Sequence, residues 1–363
     1  MNDTNATCIN PESGFLAVIL SKSGRAIAAD AAWRLLEHEP FAKEGFGTDP
    51  FSGWQHWLAA RVEELASAIA FGRPEIFVDQ VLWARSALGP RGIDSAHFRQ
   101  GLVYLRGVLL EELPDEVRAI AAAYVDRALE AFDAPGTETS TESLGKEPFR
   151  HLVAAYLTAV LEGDGRRASQ IVLSAAAQGH AVHDLYLRVI VPAQKEIGRM
   201  WVANEISIAD EHLSSVTARR LMSQLVERGH ARFARGKTVL VAAVAGNRHD
   251  LGTQVVADFF ELDGWRTIHL GADVPADTLL DVLDSIEVDI LCLSAALPVQ
   301  LPVLRDTISV VRSSSRGSHI KILVGGPAFH GALDLAKQLD ADAQADDARH
   351  AVLTACALMG MDA

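Results

Sequence analysis

The chain's 363 residues suit two or three domains at roughly 150 residues each. Its 49% apolar and 22% charged residues are the make-up of a folded globular protein and exclude a disordered scaffold, a disulfide-stapled miniprotein and a collagen-like or low-complexity array. Lysine and arginine number 33 against 47 aspartate and glutamate; the net charge of -14, with no local basic cluster, argues against direct nucleic-acid binding.

In chain order, the apolar run Phe15 to Leu20 is too short for a membrane span, follows no basic leader and reads as a buried strand. Phe15 to Leu36 is therefore expected to hold a strand pair or hairpin around Ser23-Gly24, then a helix. From Gly53 to Phe132 helical spacing is broken at Gly72-Arg73-Pro74, Gly89-Pro90-Arg91-Gly92 and Leu113-Pro114-Asp115, which predicts four helices and an N-terminal helical domain over residues 1–133. Trp54-Gln55-His56-Trp57, with Trp33 and Trp83, reads first as core aromatics and second as the lining of a planar-ligand pocket or an oligomer contact.

Residues 134–148 lack apolar periodicity, are crowded with turn and polar residues, and read as a linker. Residues 149–229 return to helical spacing over His151 to Leu161, Gly165 to Gln178, His183 to Val202 and Ile208 to Arg228. Residues 235–363 alternate β-branched runs (Thr238 to Val244, Thr267 to Leu270, Asp289 to Leu293, Ile320 to Val324, with a weak fifth strand near Ala343) with amphipathic stretches. Helices are expected at about Leu251 to Leu262, Pro275 to Ser285, Val299 to Val311, Phe329 to Leu339 and Ala348 to Leu358. The fold class is α/β plus all-α: two helical segments and a C-terminal flavodoxin-like doubly wound parallel sheet. Cys8, Cys292 and Cys356 lack metal-ligand or redox spacing, so a reducing cytoplasm is the expected setting.

In such sheets ligands sit beyond the carboxyl ends of the strands, where strand order reverses. Three loops lie there: Gly246-Asn247-Arg248-His249-Asp250-Leu251-Gly252, Ser294-Ala295-Ala296-Leu297-Pro298 and Gly325-Gly326-Pro327. The first lacks a dinucleotide or triphosphate glycine pattern. It offers instead a histidine, His249, able to project as a metal ligand, with Asn247 placed to fix its second ring nitrogen. Gly325 and Gly326 remove side chains where a bulky group must approach the backbone, and Ser294 and Ala296 keep the neighbouring wall small.

Asn247-x-His249-x-x-Gly252, Ser294-x-Ala296 and Gly325-Gly326 together resemble the D-x-H-x-x-G, S-x-L, G-G signature of cobalamin-binding domains, with Asn247 in place of the acidic residue and Ala296 in place of a larger one. The resemblance implies that His249 is the lower axial ligand of cobalt, that Asp250 belongs to the cofactor-binding loop, and that the cofactor's nucleotide tail enters a slot lined by the serine and the glycine pair. Residues 149–229 resemble the four-helix cap that covers the upper face of cobalamin. Trp201 and, nine residues on, Glu211-His212 are similar to the W-x9-E-H motif with which CarH-type light sensors hold the adenosyl group. An indole offers a stacking surface, and a carboxylate beside an imidazole offers hydrogen bonds to the adenosine. Val202 stands where those sensors can carry a second cobalt-binding histidine.

Together these resemblances imply a non-enzymatic photoreceptor that binds adenosylcobalamin, lacks the CarH DNA-binding domain, and changes domain packing or oligomeric state when light breaks the cobalt–carbon bond. It would be a homo-oligomer that signals to a protein effector. The N-terminal bundle resembles that of the photocobilins, which implies biliverdin as a second chromophore, although no bilin motif is visible and neither His56 nor Cys8 is marked as an anchor. The rival readings are a corrinoid methyl-carrier or mutase subunit and a light-insensitive cobalamin-sensing antirepressor.

Overall fold

The first element corrects the sequence expectation. Pro11–His38 is one 28-residue helix, α1, with no strand or hairpin in it. Its buried positions Leu16, Leu20, Gly24, Ile27, Ala31 and Leu35 recur every three or four residues, a helical period that six apolar residues in a row conceal. Gly24 is no turn residue: a Cβ there would lie 2.9 Å from Val62 Cγ1, so it is the point where α1 approaches the next helix most closely. That helix, α2 (Pro50–Ala70), starts where the Asp49 carboxylate accepts from Ser52 N, with Pro50 at the first turn. Helices α3 (Pro74–Leu88), α4 (Ser95–Glu112) and α5 (Asp115–Asp133) follow, making the four predicted between Gly53 and Phe132.

This computed structural model describes residues 11–44, 46, 48–134, 149–229, 235–317, 319–331 and 334–362. Cys8 and the predicted linker from 135 to 148 lie outside the described residues. The chain divides into two units, Met1–Thr139 with Val202–Asn204 and Ser140–Trp201 with Glu205–Ala363. In the first, Trp54 and Trp57 are buried edge to face, 5.7 Å apart, against Phe98. Trp33 and Trp83 are about half exposed, so the four tryptophans do not share one pocket.

The second unit begins with α6 (Arg150–Leu161) and α7 (Gly165–Ala177), the latter capped by Asp164, which accepts from Arg167 N. The predicted third helix is divided into α8 (Val182–Leu185), a π-helical segment Tyr186–Ile190 and α9 (Val191–Val202). Val191 N donates to Tyr186 O, five residues back, and the widened turn precedes Pro192, which has no N–H to give. The long α10 (Ile208–Gly229) closes the helical group.

Five parallel strands follow: β1 (Thr238–Val244), β2 (Arg266–Val274), β3 (Ile290–Ser294), β4 (Lys321–Gly325) and β5 (Ala343–Ala345), in the order β2-β1-β3-β4-β5. Every residue of β1 is buried, as expected of a central strand covered on both faces. The crossovers carry α11 (Leu251–Leu262), α12 (Ala276–Ser285), α13 (Leu301–Ser313) and the four-residue α14 (Leu335–Gln338), much shorter than the predicted Phe329 to Leu339 helix; α15 (Ala348–Leu358) ends the fold. One apolar core runs from Tyr156, Tyr186 and Leu221 under the helices to Phe259, Trp265 and Val241. Among the described residues no helix is long and apolar enough to cross a membrane.

Candidate functional site

The chain turns to one side after β1 to form β2 and to the other to form β3, so strand order reverses between β1 and β3. Asn247 holds this point together. It is fully buried; its Oδ1 accepts from the backbone N of His249 at 3.0 Å and its Nδ2 donates to Ser294 O, at the end of β3, at 3.0 Å. Asn247 therefore fixes the loop backbone through both ends of its amide. The imidazole of His249 is left exposed at the loop tip.

Two residues that sequence reasoning did not single out complete the loop. Asp273, at φ +55, accepts from Gly246 N at 2.6 Å and gives its own N–H to Asn247 O. Gln300 accepts from Ala296 N and Leu297 N at 2.8 and 3.0 Å and donates to Gly246 O at 3.1 Å, tying the loop after β3 to the loop after β1. Ser294 and Ala296 remain half-buried beside it.

Packing within the protein itself also requires the glycine pair. A Cβ on Gly325 would come within 2.7 Å of Ala345 O, and one on Gly326, at φ +106, within 2.4 Å of Ala295 O and 2.8 Å of Ser294 Oγ. The protein's own strand ends fill that space, so these glycines allow close packing of the loops. At Gly246 and Gly252, on either side of the exposed imidazole, an added Cβ meets no atom within 4 Å.

Above the loop, Arg219 of α10 forms a two-pronged ion pair with Asp250, one contact being 2.9 Å. Glu211, Ser215 and Arg219 recur every four residues and share one face of α10, so the face that meets Asp250 also carries Glu211, about 12 Å further along the axis. The Glu211 carboxylate contacts His212 Nδ1 at 2.6 Å and accepts from Ser215 Oγ at 2.9 Å, while His212 is 72% exposed. Trp201 ends α9, half-buried, and its helix end is joined to the first turn of α10 by a short connection. Deeper in, Tyr186 Oη lies 2.9 Å from Met222 O and 2.7 Å from Asp258 Oδ2, bonding the π-helical segment to α11. Burial pushes the Asp258 carboxyl up to about 6.

The loop so built presents one exposed imidazole beside the half-buried Ser294 and Ala296, with α10 tied to it through the Arg219–Asp250 ion pair. Residues 237–353 match the family model of the B12 binding domain, and residues 152–226 match a second B12 binding domain model. These two segments are similar to B12 binding domains, which supports a cobalamin or corrinoid cofactor. The chain is 27% identical over 165 residues, 45% of this chain and 74% of the relative, to dimethylamine corrinoid protein 1 of Methanosarcina acetivorans. A corrinoid protein of Desulfitobacterium hafniense is 22% identical over 206 residues, 56% of this chain and 94% of that one. The monomethylamine corrinoid protein of Methanosarcina barkeri has the same fold over 58% of this chain and 100% of its own, at 18% identity and a TM-score of 0.52.

Proposed function

We propose that this chain is a corrinoid carrier, itself without catalytic activity, that grips cobalamin between the β1 loop and the face of α10. The exposed His249 imidazole on a loop locked by Asn247, Asp273 and Gln300 is the observation that carries this reading. His249 would hold cobalt from the β1 loop, Gly252, Ser294, Ala296 and the backbone at Gly325 and Gly326 would line the space for the rest of the cofactor, and Asp250 anchors the loop to α10. Bound cobalamin supplies a cobalt–carbon bond whose alkyl group is handed on or released. On the upper side Trp201, Glu211 and His212 define what that group meets. The likeness to methylamine corrinoid proteins favours a methyl group delivered to or from a partner methyltransferase.

A second reading, an adenosylcobalamin light sensor, is supported by the Glu211–His212 contact with its exposed imidazole, in the helix that follows the one carrying Trp201. In it, release of the adenosyl group frees these side chains, and altered self-association or an effector protein carries the signal in the cytoplasm; biliverdin in the N-terminal unit belongs to this reading.

Loading the full chain with methylcobalamin or adenosylcobalamin in darkness, then recording absorption and mass before and after illumination, separates the two. A carrier exchanges its methyl group with an added thiol or methyltransferase and keeps its mass in light. Light changes the absorption of either alkyl form, so mass is the readout: a sensor changes mass on illumination only with the adenosyl form, and a response to cofactor level alone is that of an antirepressor. Retention of the cofactor's own base on cobalt in the loaded protein overturns the His249 assignment for every reading. A red-absorbing complex on adding biliverdin tests the second chromophore by itself.

A further inference from the structure

Helices α7 and α10 enclose a groove of about 600 Å³ on the side of α10 away from Asp250. The two helices run in the same direction there: a Cβ on Gly165 would meet Thr217, and Arg228 reaches Leu173 O eight residues further along α7. Arg166, Arg220 and Arg228 stand on its rim, and no carboxylate lines it. Arg166 and Arg220 have no ion-pair partner among the described residues, and Arg228 has only the long 3.4 Å contact to Leu173 O. Leu213 and Val216, 43% and 48% exposed, form the apolar end. In a chain of net charge -14, three guanidinium groups around an acid-free cleft are a local inversion of sign.

The spacing of the charges selects the occupant. Arg220 and Arg228 are eight residues apart on one helix, about 12 Å, a spacing suited to a rod carrying spaced carboxylates. Such a rod exists in the same unit. Helix α12 buries Leu279 and Leu283 against the fold and exposes Asp277, Asp281 and Asp284, spaced four and three residues over about 10 Å, with half-buried Leu280 between them. None of the three carboxylates has an ion-pair partner among the described residues. Because Leu279 and Leu283 hold α12 in place, it cannot leave to fill the groove of its own chain.

We propose that the α7–α10 groove receives helix α12 of a second copy of this chain, Asp277, Asp281 and Asp284 meeting Arg166, Arg220 and Arg228 while Leu280 covers Leu213 and Val216. The arrangement is the closed one, a two-fold dimer in which each copy's groove holds the other's helix, rather than an open chain of copies. The contact uses surfaces outside the His249 site and does not depend on what that site binds.

The mass of the cofactor-free full chain is measured by sedimentation across concentration and salt. A dimer is expected whose dissociation constant rises at least tenfold between about 0.05 and 0.5 M NaCl, as screening shortens the reach of the charges. Variant Arg220→Glu/Arg228→Glu and variant Asp277→Lys/Asp281→Lys are each expected to be monomeric. Mixed in equal amounts they are expected to re-form a dimer, since each acidic groove then meets a basic helix and each basic groove an acidic one. Far-UV circular dichroism checks folding, and Arg220→Gln/Arg228→Gln, which adds no repulsion, is expected to weaken the dimer as well. A monomeric wild type, a dimer that survives either charge reversal, or two folded variants that stay monomeric when mixed would each overturn the proposal.

Discussion

At the scale of single residues, the site depends on which groups are held and which are free. His249 is free, so His249→Ala leaves the fold intact; bound cobalamin is expected to lose the absorption signature of imidazole ligation, with melting of the unloaded chain unchanged. Asn247 is held. Asn247→Ala removes two part-buried hydrogen bonds and is expected to destabilise the protein by about 1–3 kcal/mol in urea unfolding and to weaken cobalamin binding. Asn247→Asp removes the Nδ2 donor and sets a carboxylate against Ser294 O, so it is expected to destabilise the loop as well. Gly326→Ala must accommodate a Cβ 2.4 Å from Ala295 O at φ +106, at a cost of about 2–3 kcal/mol in the same measurement.

At the scale of elements, the polar joint between the π-helical segment and α11 titrates. Tyr186 has one hydroxyl proton and two oxygen neighbours, Met222 O and Asp258 Oδ2. Both contacts are hydrogen bonds only when Asp258 is protonated and donates to Tyr186 Oη, leaving Tyr186 to donate to Met222 O. Burial, with Glu261 on the same helix adding to it, holds the Asp258 carboxyl at about 6 against an ordinary 3.8, while the Tyr186 and Gln254 hydrogen bonds pull the other way. A carboxyl raised in the folded state contributes stability that is full below pH ~4 and lost as pH climbs through about 6. The two-unit shift corresponds to roughly 3 kcal/mol, so unfolding free energies of wild type and Asp258→Asn should diverge by about that much between pH 4 and 7. Parallel curves for the two proteins would refute the proton assignment.

For the whole molecule, the division into two units predicts two unfolding transitions in a calorimetric scan. Cobalamin at a hundredfold excess over its dissociation constant is expected to stabilise the unit containing His249 by about 2.7 kcal/mol and leave the other transition where it was. The wrong and right readings of the chain also separate at this scale. The sheet was legible because buried parallel strands and amphipathic crossovers differ in period and residue type, and four helices of the N-terminal unit because Gly and Pro punctuate them. Helix α1 was not, since a short apolar run fits strand or helix equally and Gly24 looks like a turn until Val62 is placed against it.

Sequence alone determined the chemistry on offer: an imidazole at the end of the first strand, glycines and a serine at the later loops, and a Trp and Glu-His pair in the helical cover, because residue types and their spacing are local properties. Which of these groups face a ligand and which brace the protein was decided only by tertiary structure. Asp273, Gln300 and Arg219 find their partners 27, 54 and 31 residues away, and Gly326 answers to a carbonyl on a neighbouring strand. Contacts between distant segments arise when the sheet closes and the core excludes water, and no window along the chain contains them.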